Sequence, residues 1–391
     1  MNARFTLMLT MAMFVAAASR AQAAADAQST VRVYIGTVTG RGPSKGIYRV
    51  DLDRAAGKLG EVTLAGEAVN PGFIALHPNG QFLYSVGQQP SPDKTNPGTV
   101  TAYSIDSASG DLRTLNQQAS GGVGPAYVMV DRAGRNVLVA NYSGSSAAVL
   151  PLAADGTLEA ASCVVRHEGS SVNPKRQESP HPHSIYLDAA NRFAFVPDLG
   201  LDKVMIYRFD GNEGNLAANE PAFVKLPPGS GPRHFAFHPD GQHAYAINEL
   251  ASTVTAMDYD PQSGALVPRQ TISTLPPGAN AEQLGNTTAD IHVHPSGRFV
   301  YGSNRGHNSI AIFAIDEESK TLAPLGYQGE GIKTPRNFGI DPSGNFLLVA
   351  NLDGDNLSLF RIDRSTGQLA PTGSTAEVSK PMCVKFLAAA P

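Results

Sequence analysis

Hydrophobic residues along this chain come in short runs, broken by Pro, Gly, Asn and Asp at positions that recur. Between Gly229 and Asp260 (GSGPRHFAFHPDGQHAYAINELASTVTAMDYD) a Gly-Pro pair leads into Phe235-Ala236-Phe237 and then the turn His238-Pro239-Asp240-Gly241. A second apolar run, Ala244 to Ile247, is closed by Asn248-Glu249, and a third, Thr253 to Tyr259, alternates with period two. Residues two apart share one face of a strand, and the punctuating residues supply turn geometry, so the stretch predicts an antiparallel meander. We label its first three strands A, B and C.

The same unit returns along the chain. Its A–B turn recurs as His77-Pro78-Asn79-Gly80, Asp131-Arg132-Ala133-Gly134, Asp188-Ala189-Ala190-Asn191, His294-Pro295-Ser296-Gly297 and Asp341-Pro342-Ser343-Gly344. Strand C appears seven times, beginning at Gly46, Thr99, Ser146, Lys203, Thr253, Ser309 and Asn356. The missing A strand lies at the far end of the chain, where Lys380-Pro381-Met382-Cys383-Val384-Lys385-Phe386 matches the proline-led starts at Pro71, Pro125, Pro232 and Pro335. A period of about 50 residues with about four strands per unit predicts a β-propeller. Pairing the C-terminal strand with Val31–Thr37 closes seven four-stranded antiparallel blades into an all-β ring, expected to span residues 31–388 as a single domain.

Met1 to Ala23 reads differently, with Arg4 followed by an apolar run from Phe5 to Ala18 and the small-residue pattern Ala21-Gln22-Ala23. That is the pattern of a cleaved secretory signal peptide, so the expected location is periplasmic or secreted. No later stretch approaches the ~18 apolar residues of a membrane span. A net charge of −4 without a Lys/Arg run gives no footprint for nucleic acid. The only cysteines, Cys163 and Cys383, fall in different blades and are expected to be two buried, unpaired thiols. The chain is expected to act as a monomer. Two long loops, Gln88–Gly98 and Arg166–Ser179, are expected at a rim.

The A and B strands of each blade form a hairpin, so every A-start and B-end should share one face, around the mouth of the channel. Just after the leading proline or its equivalent, the blades read Gly72, Ala126, His183, Arg233, Ala289, Arg336 and Met382; the next position reads Phe73, Tyr127, Ser184, His234, Asp290, Asn337 and Cys383. B-ends contribute Tyr142, Leu199, Glu249, Arg305 and Leu352. The polar departures fall in consecutive blades: His183, then Arg233, His234 and Glu249, then Asp290 and Arg305, then Arg336. Guanidinium groups gain nothing by converging unless an anion joins them, so this set reads as a binding site. By contrast, His238 and His294 occupy turn slots where Asp also occurs, and read as structural.

RQESPHPHS (Arg176–Ser184), PDLGLDKV (Pro197–Val204), GSGPRHFAFHPDG (Gly229–Gly241), INEL (Ile247–Leu250), TADIHVHPSGRFVYGSNRGHNSIAIF (Thr288–Phe313) and TPRNFGIDPSGNFLLVAN (Thr334–Asn351) resemble the seven-bladed β-propeller lactonase family. That family includes propeller-type 6-phosphogluconolactonases and is related to carboxymuconate cyclases. The resemblance covers nearly the whole mature chain. It implies a small-molecule lactone substrate and a reaction set of His183, Arg233, Glu249 and Arg305, with His181 the alternative to His183. His234, Asp290 and Arg336 would bind substrate. Two motifs depart from the family pattern, Pro182 within PHPHS and the VPDLG segment, and neither removes a polar candidate. The resemblance requires no metal or cofactor, and the sequence has neither a Cys/His ligand cluster nor a calcium-type acidic run.

Opening a lactone needs a base for water and donors for the tetrahedral oxyanion. Glu249 or His183 can serve as base, and the arginines as donors. Ser184 lacks the Gly-x-Ser-x-Gly elbow of a nucleophile. Three function classes follow: a lactonase acting on a sugar-type or other polar lactone, a muconate-type cyclase forming a lactone, and a non-enzymatic propeller that binds a ligand or partner. The first is the primary reading. An exported chain sits apart from phosphorylated sugar lactones, which are cytosolic metabolites.

Overall fold

The computed structural model describes residues 30–88 and 97–387. The expected signal segment Met1–Ala23, most of the Gln88–Gly98 loop and residue 388 lie outside the described residues. All regular structure in the described residues is β-strand, arranged as seven antiparallel sheets. Six sheets have four strands in simple meander order. The remaining sheet closes the ring: Pro381–Phe386 pairs with Thr30–Thr37, which pairs with Gly46–Asp53, whose outer neighbours are Lys58–Leu59 and Thr63–Glu67. We number this sheet blade one and count onward along the chain. Blade two then begins at Ile74–Leu76, blade five at Pro232–Phe237 and blade seven at Pro335–Ile340.

The chain adopts this form because its B strands are apolar on both sides and must be covered by two neighbours. Leu138, Val139 and Ala140 in blade three and Leu347, Leu348 and Val349 in blade seven are fully buried. A fully buried Leu or Val contributes ~1.5–3 kcal/mol. Pairing the termini also removes the two strand edges that an open ring would present.

Polar clasps set the spacing between blades. Tyr34, Tyr84, Tyr245 and Tyr301, all in B strands, donate hydroxyl hydrogen bonds to the backbone carbonyls of Gly110, Gly156, Lys320 and Gly367 at 2.8, 3.0, 3.0 and 2.8 Å. In the A–B turns, Nε2 of His77, His238 and His294 reaches the carbonyl of Gly134, Gly297 and Gly344 in the next blade at 2.9, 2.9 and 2.8 Å. His238 and His294 are therefore clips between blades. The B–C turns share a device of their own: Ser145, Asp202, Ser252, Asn308 and Asp355 each take a left-handed conformation, with φ between 49 and 55°. Small polar side chains tolerate that conformation better than branched ones.

Both cysteines are free. Cys383 is buried, but Cys163 is only half-buried, contrary to expectation, because it lies in the outermost strand of its blade where one face meets solvent.

Candidate active site

The proline-led starts of the A strands share a backbone irregularity. In blade five Pro232 faces Asn248 and the next aligned pair is His234 with Ile247, so Arg233 is an extra residue. The same β-bulge leaves Arg336 extra in blade seven, Ala126 in blade three and Met382 in blade one. In blade six the register slips between Thr288 and Ile291. A bulge breaks strict alternation, so neighbouring residues such as Arg233 and His234 can both serve one site. At the other strand, buried Asn141, Asn248, Asn304 and Asn351 hold the B–C turns by donating side-chain hydrogen bonds to Ser146, Thr253, Ser309 and Asn356. The residue after each Asn (Tyr142, Glu249, Arg305 and Leu352) is thereby presented at the same end of its blade as the bulge.

These positions meet around a cavity of about 770 Å³, to which His183, Arg233, His234, Glu249, Arg305 and Arg336 all contribute. Asp290 does not line it. It lines instead a second cavity of about 260 Å³, which it shares with His292 and Asn337. His181 stays outside the lining; its ring stacks on Tyr142 at 4.4 Å and its Nδ1 lies 3.1 Å from the Tyr142 carbonyl.

Glu249 is the focus. It is almost fully buried, and three arginines converge on its carboxylate: Arg176 Nη2 donates to Oε1 at 2.7 Å, while Arg233 Nε and Arg305 Nη2 lie 3.0 Å from Oε2. Burial pushes this carboxyl up, but the surrounding guanidiniums of Arg305, Arg233 and Arg176 outweigh burial and hold it at about 2. With both oxygens held by guanidiniums, Glu249 organises the arginines. Arg233 Nη1 also donates to the Ala289 carbonyl and Arg305 Nη2 to that of Thr288, at 2.7 Å for the second. Burial, with Arg336 and Arg305 nearby, pulls Arg233 down to about 9, and burial with Arg305 pulls Arg336 to about 10. An anion bound here would reverse both penalties.

His183 is held neutral, pushed well below its ordinary value by burial and by Arg233, His234 and Arg336. Its Nδ1 is buried with no hydrogen-bond partner. Ser184 Oγ donates to the Arg233 carbonyl at 2.6 Å and so acts as a brace.

Arg176 was not among the sequence candidates, because it sits in the Arg166–Ser179 insert, where no repeat offers a comparison. That insert is anchored by a buried hub. Asp202 accepts hydrogen bonds from Ser171 Oγ (2.6 Å), Gln177 Nε2 (2.7 Å), Gly229 N (2.7 Å) and Gly231 N (2.7 Å). One carboxylate thus fixes the loop carrying Arg176 and the segment leading into Arg233. Arg41, Tyr142 and Lys380 join the same lining.

Among the described residues, one cluster has metal-like composition: His238, Asp240 and His243. It belongs to an A–B turn, at the other end of the hairpin, and both ring nitrogens of His238 already serve the turn and the clip.

A seven-bladed propeller with a cavity that gathers arginines around a buried carboxylate defines a class of protein, and comparison with known proteins agrees with it. The family model "Lactonase, 7-bladed beta-propeller" matches residues 32–386, and the chain belongs to that family. It is 38% identical over 354 residues to a 6-phosphogluconolactonase of Bacillus subtilis, covering 90% of this chain and 97% of the relative. A 6-phosphogluconolactonase of Formosa agariphila is 35% identical over 310 residues, covering 78% and 85%. Among solved structures, the periplasmic gluconolactonase of Pseudomonas aeruginosa superposes with a TM-score of 0.85 at 34% identity, covering 93% of this chain and all (100%) of the other. The chain is a lactone hydrolase.

Proposed function

We propose that the protein is an exported lactonase that opens a polar, sugar-type lactone in the cavity at the channel mouth, with His183, Arg233, Glu249 and Arg305 as its reaction set and Arg336 binding substrate. The observation that carries this reading is the convergence of Arg176, Arg233 and Arg305 on the buried Glu249 in the wall of the cavity. Donors fixed in place stabilise a developing oxyanion without reorganising, which is what attack on a lactone carbonyl requires. Five arginines and one lysine line the cavity against two carboxylates, Glu249 and Asp353. That imbalance favours a reaction in which a neutral ester becomes a carboxylate. Export is supported by the Met1–Ala23 pattern, and the Pseudomonas relative is named a periplasmic gluconolactonase.

The test is to incubate the purified mature chain with glucono-δ-lactone, galactono-γ-lactone and 6-phosphoglucono-δ-lactone, following acid release in a pH-stat. Hydrolysis of at least one above the buffer rate is expected, with loss in Arg305→Ala. Cyclisation of a carboxymuconate with no lactone opening would move the protein to the lactone-forming class.

A further inference from the structure

Both oxygens of Glu249 are engaged by guanidiniums, Oε1 by Arg176 and Oε2 by Arg233 and Arg305, so the base is sought elsewhere in the cavity. His183 and His234 stand side by side there, ring centroids 5.4 Å apart. His183 Nδ1 and His234 Nε2 are both buried without a hydrogen-bond partner. The two differ in what lies behind them. Among the described residues no carboxylate pairs with the His183 ring, whereas His234 Nδ1 lies 2.6 Å from Asp290 Oδ1. Asp290 is itself held by His292 Nε2 at 3.1 Å, by the Asn337 amide and by its own neighbour Ile291 N at 3.0 Å. An ionised carboxylate only accepts, so this contact assigns the proton to Nδ1 and leaves the lone pair on Nε2.

We propose that His234, its tautomer set by Asp290, is the general base of lactone opening and so a catalytic residue, not merely a substrate contact; this rests on the lactonase reading above. As water oxygen bonds to the lactone carbonyl carbon, His234 Nε2 takes one of its protons, and the oxyanion forms against the arginine cluster. Collapse breaks the bond from the carbonyl carbon to the ring oxygen, which receives that proton back from the imidazolium. The product is a hydroxy acid whose carboxyl proton passes to the buffer. Asp290 remains ionised throughout and acts as a positioning residue, as in other carboxylate–imidazole pairs.

The groups facing His234 are Arg233, Asp290, His183 and His292, with Phe73, Tyr127 and Tyr186 around its ring. Burial and then Arg233 pull the imidazole down to about 4, against the opposing pull of Asp290. The unprotonated form therefore dominates at neutral pH and is lost only in acid.

The experiment measures kcat, KM and the pH profile of His234→Gln, Asp290→Asn and His183→Gln on whichever lactone of the panel the wild type opens, with gluconate binding by calorimetry as a check on the cavity. His234→Gln should lower kcat about 100-fold or more, within the range for losing a general base, with KM within about threefold. The wild-type acid limb should vanish from its residual rate. Asp290→Asn should lower kcat about 10-fold or more by releasing the tautomer. His183→Gln should move KM more than kcat. If His234→Gln does not fold, Asp290→Asn decides by the same kcat and KM split. A folded His234→Gln, or failing that Asp290→Asn, with kcat within about threefold of wild type and an unchanged acid limb overturns the proposal while leaving the lactonase reading intact. A wild type that opens no lactone of the panel overturns both.

Discussion

The A-strand starts around the cavity fall into two arcs that share a backbone and differ in chemistry. Blades one to three bring Met382, Gly72 and Ala126 to the first position and Cys383, Phe73 and Tyr127 to the second; blades four to seven bring His183, Arg233, Ala289 and Arg336, then Ser184, His234, Asp290 and Asn337. The bulge itself is indifferent to its occupant, holding Ala126 and Met382 in one arc and Arg233 and Arg336 in the other. The difference teaches that scaffold and chemistry are carried by separate residues. The tyrosine and histidine clasps lie away from the cavity lining, so mouth residues can change without loosening the ring. The A-starts of the first arc are apolar, and the charge on that side comes from loop residues, Arg41 and Lys380. The polar arc places guanidiniums where burial penalises them, and Glu249 offsets part of that cost.

The largest effect is expected from removing that offset. Glu249→Leu leaves Arg176, Arg233 and Arg305 converging on nothing, and breaking such a buried cluster costs about 3–5 kcal/mol. Denaturant titration should show the loss, together with abolished lactone opening. Its pH dependence has a definite sign. The folded carboxyl lies at about 2, below its ordinary 4.5. Its contribution is therefore full above the ordinary value and fades as pH falls toward the folded one. The stability gap between wild type and Glu249→Leu should hold from neutral pH down to pH 4.5 and shrink below it. A gap that widened in acid would show that the arginines do not depend on this carboxylate.

Next in size is Arg233→Lys, which keeps the charge and loses the planar fork. It should lower kcat/KM by at least ~10-fold, about 1.4 kcal/mol of transition-state binding. The converse change carries charge into the apolar arc. Ala126→Glu places a carboxylate across from the arginines and should raise KM for 6-phosphoglucono-δ-lactone by roughly 5-fold while leaving kcat within about twofold, since the effect is electrostatic competition for the ligand. An unchanged KM would mean that the ligand never approaches that arc.

The ring was legible because turn signals recur at fixed offsets, and because the surplus C strand exposed the C-terminal A strand as the missing partner. The candidate set was legible where a repeat offered a comparison: Arg233, Glu249, Arg305 and Arg336 stand out against Ala126, Tyr142, Leu352 and Met382. Arg176 had no counterpart to depart from, since its loop is an insert. The pairing of His234 with Asp290 joins residues 56 positions apart through the contact of two neighbouring blades, and no local pattern announces it. The bulges escaped notice for a simpler reason. A single extra residue in a short run looks like ordinary alternation starting one position later. Cys163 does lie in the outer part of its blade, and only its burial differs from expectation, because that strand is covered on one side only.

The smallest effect tests the separation of scaffold from wall most directly. Tyr84 belongs to the apolar arc and Tyr301 to the polar one, and both make the same clasp, to Gly156 at 3.0 Å and Gly367 at 2.8 Å. Replacing either by Phe keeps the ring in its packing and removes one hydroxyl, leaving a carbonyl of the next blade without its donor. A net hydrogen bond of this kind contributes about 1 kcal/mol, which in a chain of this size amounts to a melting shift of about 2 °C or less. Both variants should show it equally, and both should open lactone at the wild-type rate. If Tyr301→Phe lost activity while Tyr84→Phe did not, the clasp under blade six would be tuning Arg305, one strand-end away, and the two arcs would differ in their scaffold as well as their chemistry.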